Sequence, residues 1–191
     1  MAKYTVFEST NMKSTRYAEP TRDAICDTDV ENGTFGYLTD LEDGDTVVQK
    51  FVKGFKECET IVVVDQPVWD ADTTYKENQR RDKFICEANT PFRVRVVGRN
   101  DKFAISKEGV TGESASLLKP NAYVTIDATT GKLVAKDSVT EGAKFEGKVR
   151  RKEIRSVTLN TAVRNYGYPL DMYVIEVVKL SYEPTNTGAG A

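Results

Sequence analysis

The chain has 191 residues, of which 39% are hydrophobic, and this is enough to build one substantial folded domain. Its 27 Lys and Arg residues nearly balance its 29 Asp and Glu residues, and the resulting net charge of −2 argues against a general nucleic-acid-binding protein. The chain contains no histidine, which excludes Ser-His-Asp and Cys-His catalytic arrangements and mixed Cys/His zinc sites. We therefore expect a protein that is not an enzyme and that needs no cofactor or metal.

Apolar residues alternate with a period of two far more often than they recur with the period of a helix, which predicts strands. In chain order, strands are predicted over residues 3–8, 46–52, 60–65, 92–97, 123–126, 132–135, 144–151, 156–163 and 171–180. The turn Ala128–Gly131 predicts that two of them form a hairpin. The pattern predicts a mainly β fold, a sandwich or partly open barrel of about ten short strands.

Two polar segments interrupt this pattern. Residues 9–32 carry almost no periodic apolar side chains and indicate a long extended arm, and residues 66–82 form a second polar excursion. The last nine residues have the composition of a flexible linker. We therefore expect an N-terminal strand and extended polar arm over residues 1–32, a β-domain over 33–182 and a flexible C-terminal tail over 183–191.

The cysteines and the N-terminus indicate the compartment. Cys26, Cys58 and Cys86 have neither the spacing of zinc ligands nor the even number of a disulfide framework, so reduced, buried thiols are expected. The N-terminus lacks the apolar segment of a signal peptide, and no stretch approaches the ~20 apolar residues of a membrane span. The sequence predicts a soluble protein that is made in a cytoplasm, has no secretion signal and does not contact a membrane.

Charge is spread unevenly along the chain. Residues 19–45 contain nine acidic residues and one base, Arg22, whereas residues 144–155 contain six bases and two acids. Two interpretations are open. Both segments are simply solvated, or their charges meet complementary charges on neighbouring subunits and set the register of assembly.

Several motifs that carry chemistry fail in detail. Asp27–Gly33 has the alternating carboxylates of a calcium loop, but residue 32 is Asn where glycine is required, and Asp40–Asp45 fails in a similar way. Gly109–Ser114 lacks the Gly-Lys-Ser/Thr ending of a phosphate-binding loop. Asp65 and Glu87 could pair as glycosidase carboxylates, but no platform of aromatic residues accompanies them.

Arg93 and Arg95 could line an oligonucleotide-binding groove, with Phe92 and Phe103 stacking on bases. A strand with a cationic outer face and an apolar inner face explains the same residues, and the net charge favours this second interpretation. No nucleic-acid partner is therefore expected.

Four consecutive stretches, Phe92–Gly98, Asp101–Ser106, Leu118–Val124 and Asp127–Leu133, form a strand, a short Phe-x-Ile-Ser element, a second strand and a glycine-turn hairpin. This succession resembles the small β-rich capsid decoration (cement) proteins of tailed bacteriophages. The resemblance extends over residues 84–180, and Asn121 stands where a glycine is more usual.

The resemblance implies a virion structural protein that binds the outside of a capsid lattice and stabilises it, since it binds the assembled state and not the dissociated parts. The implied partners are the major capsid protein and neighbouring copies of the chain, which form a homo-oligomer on the particle. Its location would be the capsid surface, after synthesis in the host cytoplasm. Addition of Lys3–Glu8 to the edge of a neighbour's sheet is a suitable docking mode.

Residues in the polar segments, the first strand and the basic stretch are candidates for partner contact. They are Tyr4, Val6, Arg16, Tyr17, Arg22, Trp69, Arg80, Arg81, Arg150, Arg151 and Lys152.

Two alternatives remain open. One is a glycan- or host-surface-binding β-module of a fibre or tail, for which Trp69, Tyr75, Tyr166 and Tyr168 are candidate exposed aromatic residues. The other is a tail-tube or head–tail connector protein, which would be present in a handful of copies per particle.

Overall fold

The computed structural model describes residues 3–16, 21–56, 59–68, 80–156 and 169–181. Strands are by far the commonest regular structure in this part of the chain, so the predicted mainly β fold is confirmed. The strands are β1 (Phe7–Asn11), β2 (Arg22–Ile25), β3 (Phe35–Leu41), β4 (Gln49–Lys53), β5 (Val62–Val64), β6 (Phe92–Val96), β7 (Lys102–Ser106), β8 (Tyr123–Ile126), β9 (Leu133–Lys136), β10 (Phe145–Ser156) and β11 (Pro169–Leu180). Within the described ranges, the helical elements are a single turn, α1 (Lys13–Arg16), and three 3₁₀ turns at Arg81–Lys83, Lys107–Gly109 and Ser114–Leu117.

The strands form two sheets. Six of them make an antiparallel sheet in the order β1-β7-β11-β10-β8-β9, and the other five close into a barrel in the order β2-β4-β3-β5-β6. The barrel closes because β2 pairs with β4 on one side, in parallel, and with β6 on the other, antiparallel. The six-stranded sheet packs against this closed barrel.

A shared core joins the two sheets. Phe35 of the barrel packs its ring 5.5 Å from Phe103 of β7 and 5.6 Å from Phe145 of β10, measured between ring centroids. The barrel has its own interior as well, where Phe51 and Phe92 meet edge to face at 5.6 Å. The period-two alternation of the sequence supplies these inward side chains, because every second residue of a strand faces the same side.

The N-terminal segment corrects the prediction of an extended arm. It contributes β1 to the edge of the six-stranded sheet and β2 to the barrel, and Val30 forms a bridge with Cys86. Its few apolar residues are buried, with Val6 at 1% exposure and Met12 and Ala24 fully buried. Residues 3–16 and 21–32 thus pair with strands on both sides of the predicted boundary at residue 32. These residues pair over long sequence distances that a local pattern does not reveal.

Most other predicted strands correspond to observed ones, with ends shifted by a few residues. The hairpin of β8 and β9 is confirmed, with Thr125 opposite Val134, and the Asp127 carboxylate accepts hydrogen bonds from the backbone N–H groups of Thr129 and Thr130 in its turn. Strand β3 was not predicted, nor was β2. Most of the strand predicted over residues 156–163 and the whole tail predicted over 183–191 lie outside the described residues.

Candidate partner-binding surfaces

The first candidate surface is a cleft beside β1, which we call the β1 groove. It has a volume of about 390 Å³ and is lined by residues 5–10, Asn32, residues 65–68, Arg81 and Arg155. Strand β1 is a terminal strand of its sheet, so one of its edges faces away from β7 and towards this groove. The structure thus brings the predicted candidates Val6 and Arg81 to one place.

The charged side chains of the β1 groove are paired with one another. Glu8 accepts a hydrogen bond from Arg81 at 2.7 Å, and its other carboxylate oxygen lies 3.6 Å from Arg155. On the opposite wall, Asp65 accepts a hydrogen bond from the Ser9 hydroxyl at 2.8 Å and forms an ion pair with Arg95. These contacts hold the 65–68 segment and the end of β10 against β1, so the charges stabilise the cleft.

The second candidate surface is the outer part of the β10–β11 hairpin, which we call the ribbon and define as residues 150–156 and 169–173. Strand β8 pairs with β10 only at Gly147 and Lys148, so from residue 150 onward the outer edge of β10 is not paired with any described strand. The register between β10 and β11 shifts between Val149 and Arg151, at the point where the ribbon begins. Such bulges bend and twist a strand, and this one lies where the pairing of β10 with β8 has ended.

The two faces of the ribbon differ. Lys152 lies opposite Tyr173 and Ile154 lies opposite Asp171, so these four side chains share one face. Ile154 is 71% exposed on this face, the most exposed large apolar side chain of the described chain. The other face carries Leu170 and Met172, which are buried together with Val6, and Arg155, which reaches Glu8. One face of the ribbon therefore packs on its own protein, whereas on the other face Tyr173 is partly buried against the core and Ile154 is exposed.

Ion pairs cover the ribbon. Glu153 accepts hydrogen bonds from Arg151 and Arg155, and these hold the pKa of the Glu153 carboxyl below its ordinary value. A hydrogen bond to Asp171, with the two charged atoms 2.6 Å apart, raises the pKa of Lys152. Arg150 pairs with Glu176. The ribbon has four bases (residues 150, 151, 152 and 155) and two acids (153 and 171), and so carries a net charge of +2.

The third candidate surface is the connection between β3 and β4, residues 40–48, which we call the acidic hairpin. It contains four carboxylates and no base. The Asp45 carboxylate accepts hydrogen bonds from the backbone N–H groups of Val47 and Val48, and these lower the pKa of Asp45. The turn is closed further by the Glu42 N–H, which donates to the Val48 carbonyl at 2.9 Å. Leu41 and Val47 are 46% and 62% exposed on this hairpin.

The remaining predicted contact residues differ in how far the structure exposes them. Val6 is buried, and Tyr4 is half-buried with the Lys3 ammonium over its ring. Arg22 is exposed on β2. Arg80 forms a two-point ion pair with the buried carboxylate of Asp82.

Arg150, Arg151 and Lys152 lie exposed on the ribbon. Tyr17, Trp69 and the other aromatic candidates Tyr75, Tyr166 and Tyr168 lie outside the described residues, and the side chain of Arg16 does as well. In the docking mode predicted for residues 3–8, this segment adds to a neighbour's sheet. Residues 7 and 8 already pair with β7 of their own chain, so only the other edge of β1 is left for such a contact.

Sequence reasoning missed Glu8, Arg155 and Ile154. Glu8 and Arg155 are 147 residues apart in the sequence, and only the pairing of β1, β7, β11 and β10 brings them together. A signal for Ile154 was present, because it is an isolated apolar residue among bases, in a strand whose other face is needed for packing. That signal could have indicated an exposed contact residue.

The motifs that resemble calcium loops do not assemble into a metal centre within the described part of the chain. No group of three or more His, Cys, Asp or Glu residues there is placed to hold a metal ion. Cys26 and Cys86 are unpaired and buried, and burial raises the pKa of the Cys86 thiol to about 12, so this thiol is protonated at neutral pH. No helix among the described residues is long and apolar enough to cross a membrane.

No protein-family model, no curated protein and no solved structure matches this chain. Its function is therefore inferred from its own residues and their geometry.

Proposed function

We propose that this chain is a non-enzymatic structural protein of a bacteriophage particle, which binds the outer surface of the capsid lattice and stabilises it. The ribbon carries this proposal. It is the element that reaches neighbouring subunits, in place of the N-terminal arm that the sequence indicated. The support is geometric, together with the resemblance of residues 84–180 to capsid decoration proteins.

The ribbon suits an assembly role because it offers a strand edge that no described strand pairs with. An exposed edge is a template for association with another chain, and charged side chains normally protect it from unspecific pairing. Arg150, Arg151, Lys152 and Arg155 provide such charges here, while Ile154 between them provides an apolar contact. An edge of this kind resists random aggregation and accepts a partner that brings matching acids and an apolar side chain.

Stabilisation of a lattice needs no catalytic group. A protein that binds the assembled lattice and not its dissociated parts shifts the equilibrium towards assembly by mass action. Weak contacts that are repeated by symmetry act together, because each bound copy raises the effective concentration of the next contact. A short ribbon with a few charges and one apolar side chain is sufficient in such an arrangement.

The proposal is tested first by the copy number in purified particles, measured by quantitative gel densitometry before and after a mild chaotrope wash. We expect hundreds of copies, released by the wash from heads that remain intact. A handful of wash-resistant copies would favour a connector or tail-tube protein, and absence from particles would overturn the proposal.

The role of the ribbon is tested by adding purified chain back to stripped heads. Ile154→Asp places a charge in the exposed apolar contact and is expected to lower occupancy roughly tenfold or more, without a change in the melting temperature of the free protein. The matched control is Val139→Asp, which alters another apolar residue that is 58% exposed but lies outside the ribbon. Equal occupancy of the two variants would exclude the ribbon from the contact.

A further inference from the structure

Within the described chain, the basic residues that pair with the acidic hairpin do not balance its four negative charges. Of its four carboxylates, Glu42 forms an ion pair with Lys50 at 3.6 Å, and Asp45 caps backbone N–H groups of its own turn. No ion pair among the described residues involves Asp40 or Asp43, which are exposed. The hairpin also exposes Leu41 and Val47, so it combines negative charge with apolar surface.

The ribbon has the complementary character. The residues of the ribbon carry a net charge of +2, and Arg150 and Lys152 are exposed beside the apolar side chain of Ile154, although each also forms an ion pair, with Glu176 and Asp171 respectively. Each of the two hairpins thus shows exposed aliphatic side chains among charges, and the signs of the charges are opposite. Complementary potentials of this kind set the register of a contact and steer its formation.

Arg155 of the ribbon lies near the start of β3, at the β1 groove, whereas the acidic hairpin lies at the end of β3. Arg155 of the ribbon and Asp65 line the same groove, and Asp65 follows β5, where Val63 pairs with Phe35 at the start of β3. The acidic hairpin begins at the other end of β3, about 20 Å further along at the rise of a β-strand. Contact between the two surfaces therefore requires two molecules.

We propose that the acidic hairpin of one copy of this chain binds the ribbon of a second copy, in a head-to-tail contact. The proposal names the partner of the ribbon and so deepens the proposed function on which it rests. Because the two surfaces are different and lie towards opposite ends of β3, each molecule contacts two neighbours. On a capsid the lattice symmetry closes such a series, and in free solution it produces short, salt-sensitive oligomers.

The experiment uses the isolated chain without capsids. Sedimentation velocity at low ionic strength is expected to show concentration-dependent association, which 0.5 M NaCl (a screening length of roughly 4 Å) largely removes. One variant, Asp40→Lys with Asp43→Lys, reverses the charge at the two exposed positions and brings the net charge of the acidic hairpin from −4 to 0. A second, Arg150→Glu with Lys152→Glu, makes the ribbon acidic. Each variant alone is expected to associate roughly tenfold or more weakly than the wild type.

A mixture of the two variants in equal amounts is expected to regain association. The reversed hairpin of one then meets the reversed ribbon of the other, and their unchanged surfaces also match. Control variants apply the same charge changes to exposed residues elsewhere, as Glu113→Lys with Glu141→Lys and as Lys107→Glu with Lys119→Glu. These controls are expected to associate like the wild type.

Three results would overturn the inference: a wild type that remains monomeric at low salt, reversed variants that associate normally, or a mixture that does not recover. If a reversed ribbon unfolds, the milder Arg150→Gln with Lys152→Gln replaces it. Because no capsid is present, this test is independent of the proposed function. A chain that decorates heads but does not self-associate would retain the proposed function and lose the head-to-tail contact.

Discussion

Two residues where the barrel meets the six-stranded sheet leave no room for a side chain. Gly54 and Gly131 both have a positive φ, and a Cβ on either would overlap a backbone carbonyl oxygen, of Ala128 and of Phe35 respectively. The same residues carry backbone hydrogen bonds across the junction. The Phe35 N–H donates to Gly131 at 2.8 Å, and the Gly54 N–H donates to Phe35 at 3.0 Å. The close approach of three backbone segments here requires glycine for both conformation and space.

Gly131→Ala is therefore expected to lower the free energy of unfolding by roughly 2–5 kcal/mol, from the left-handed conformation and from the overlap together. Gly112→Ala is the matched control, because nothing lies within 4 Å of its Cβ position and its φ is not positive. Urea unfolding of both variants measures the difference. Equal stability of the two variants would show that the backbone at the junction moves to accommodate a methyl group without loss of stability.

Among the elements, the ribbon depends most on charge. Glu153 accepts hydrogen bonds from both Arg151 and Arg155. Arg155 also forms an ion pair with Glu8 of β1, and this pair connects the ribbon to the edge of the sheet. The pKa of Glu153 is lowered in the folded chain by these hydrogen bonds. The stabilisation it contributes is consequently complete above the pKa of the unfolded chain and is lost as the pH falls through the folded value.

An NMR titration of the side-chain carboxyl carbon is expected to give a midpoint for Glu153 below the ordinary glutamate value of about 4.3. In Arg151→Gln with Arg155→Gln, the midpoint should return to that value. Arg150→Gln is the control, because Arg150 pairs with Glu176 instead. A midpoint that stays low in the double variant would assign the lowered pKa to another cause.

For the whole molecule, the important feature is that one apolar core belongs to both sheets. Phe35 and Val63 of the barrel are buried together with Phe103, Phe145 and Ile175 of the six-stranded sheet. Neither sheet can lose this contact without exposing the apolar face of the other. The barrel and the sheet are therefore expected to unfold together, as one cooperative unit.

Phe35→Ala is expected to cost roughly 3–5 kcal/mol and to lower the stability of both sheets equally, in a single transition. Native-state hydrogen exchange at amides of β6 and β10 reports on the two sheets separately. Val52→Ala, at a partly exposed position on the outer face of the barrel, is the control and should change both very little. Separate transitions for β6 and β10 would contradict a shared core.

Much of the fold was predictable because strand periodicity is a local property. Residues 92–97 and the hairpin of β8 and β9 were read correctly from alternation and from a glycine turn. Strand β2 was not predicted and β1 was predicted only in part, because their apolar residues are few and their burial is decided by partners as distant as Ile105 and Val94. The candidate surfaces were predictable in charge alone, as an acidic stretch and a basic stretch.

By itself, the sequence determined the mainly β class, the absence of histidine chemistry and the opposite charges of the two segments that became the acidic hairpin and the ribbon. Only the tertiary structure decided that residues 3–16 and 21–32 pair with the rest of the described chain, that no described strand pairs with the edge of β10 after residue 149, and that the two charged hairpins lie towards opposite ends of β3. The physical reason is that residue types and their alternation set which side chains face inward. Pairing between distant strands sets which edges and charges remain available to another molecule.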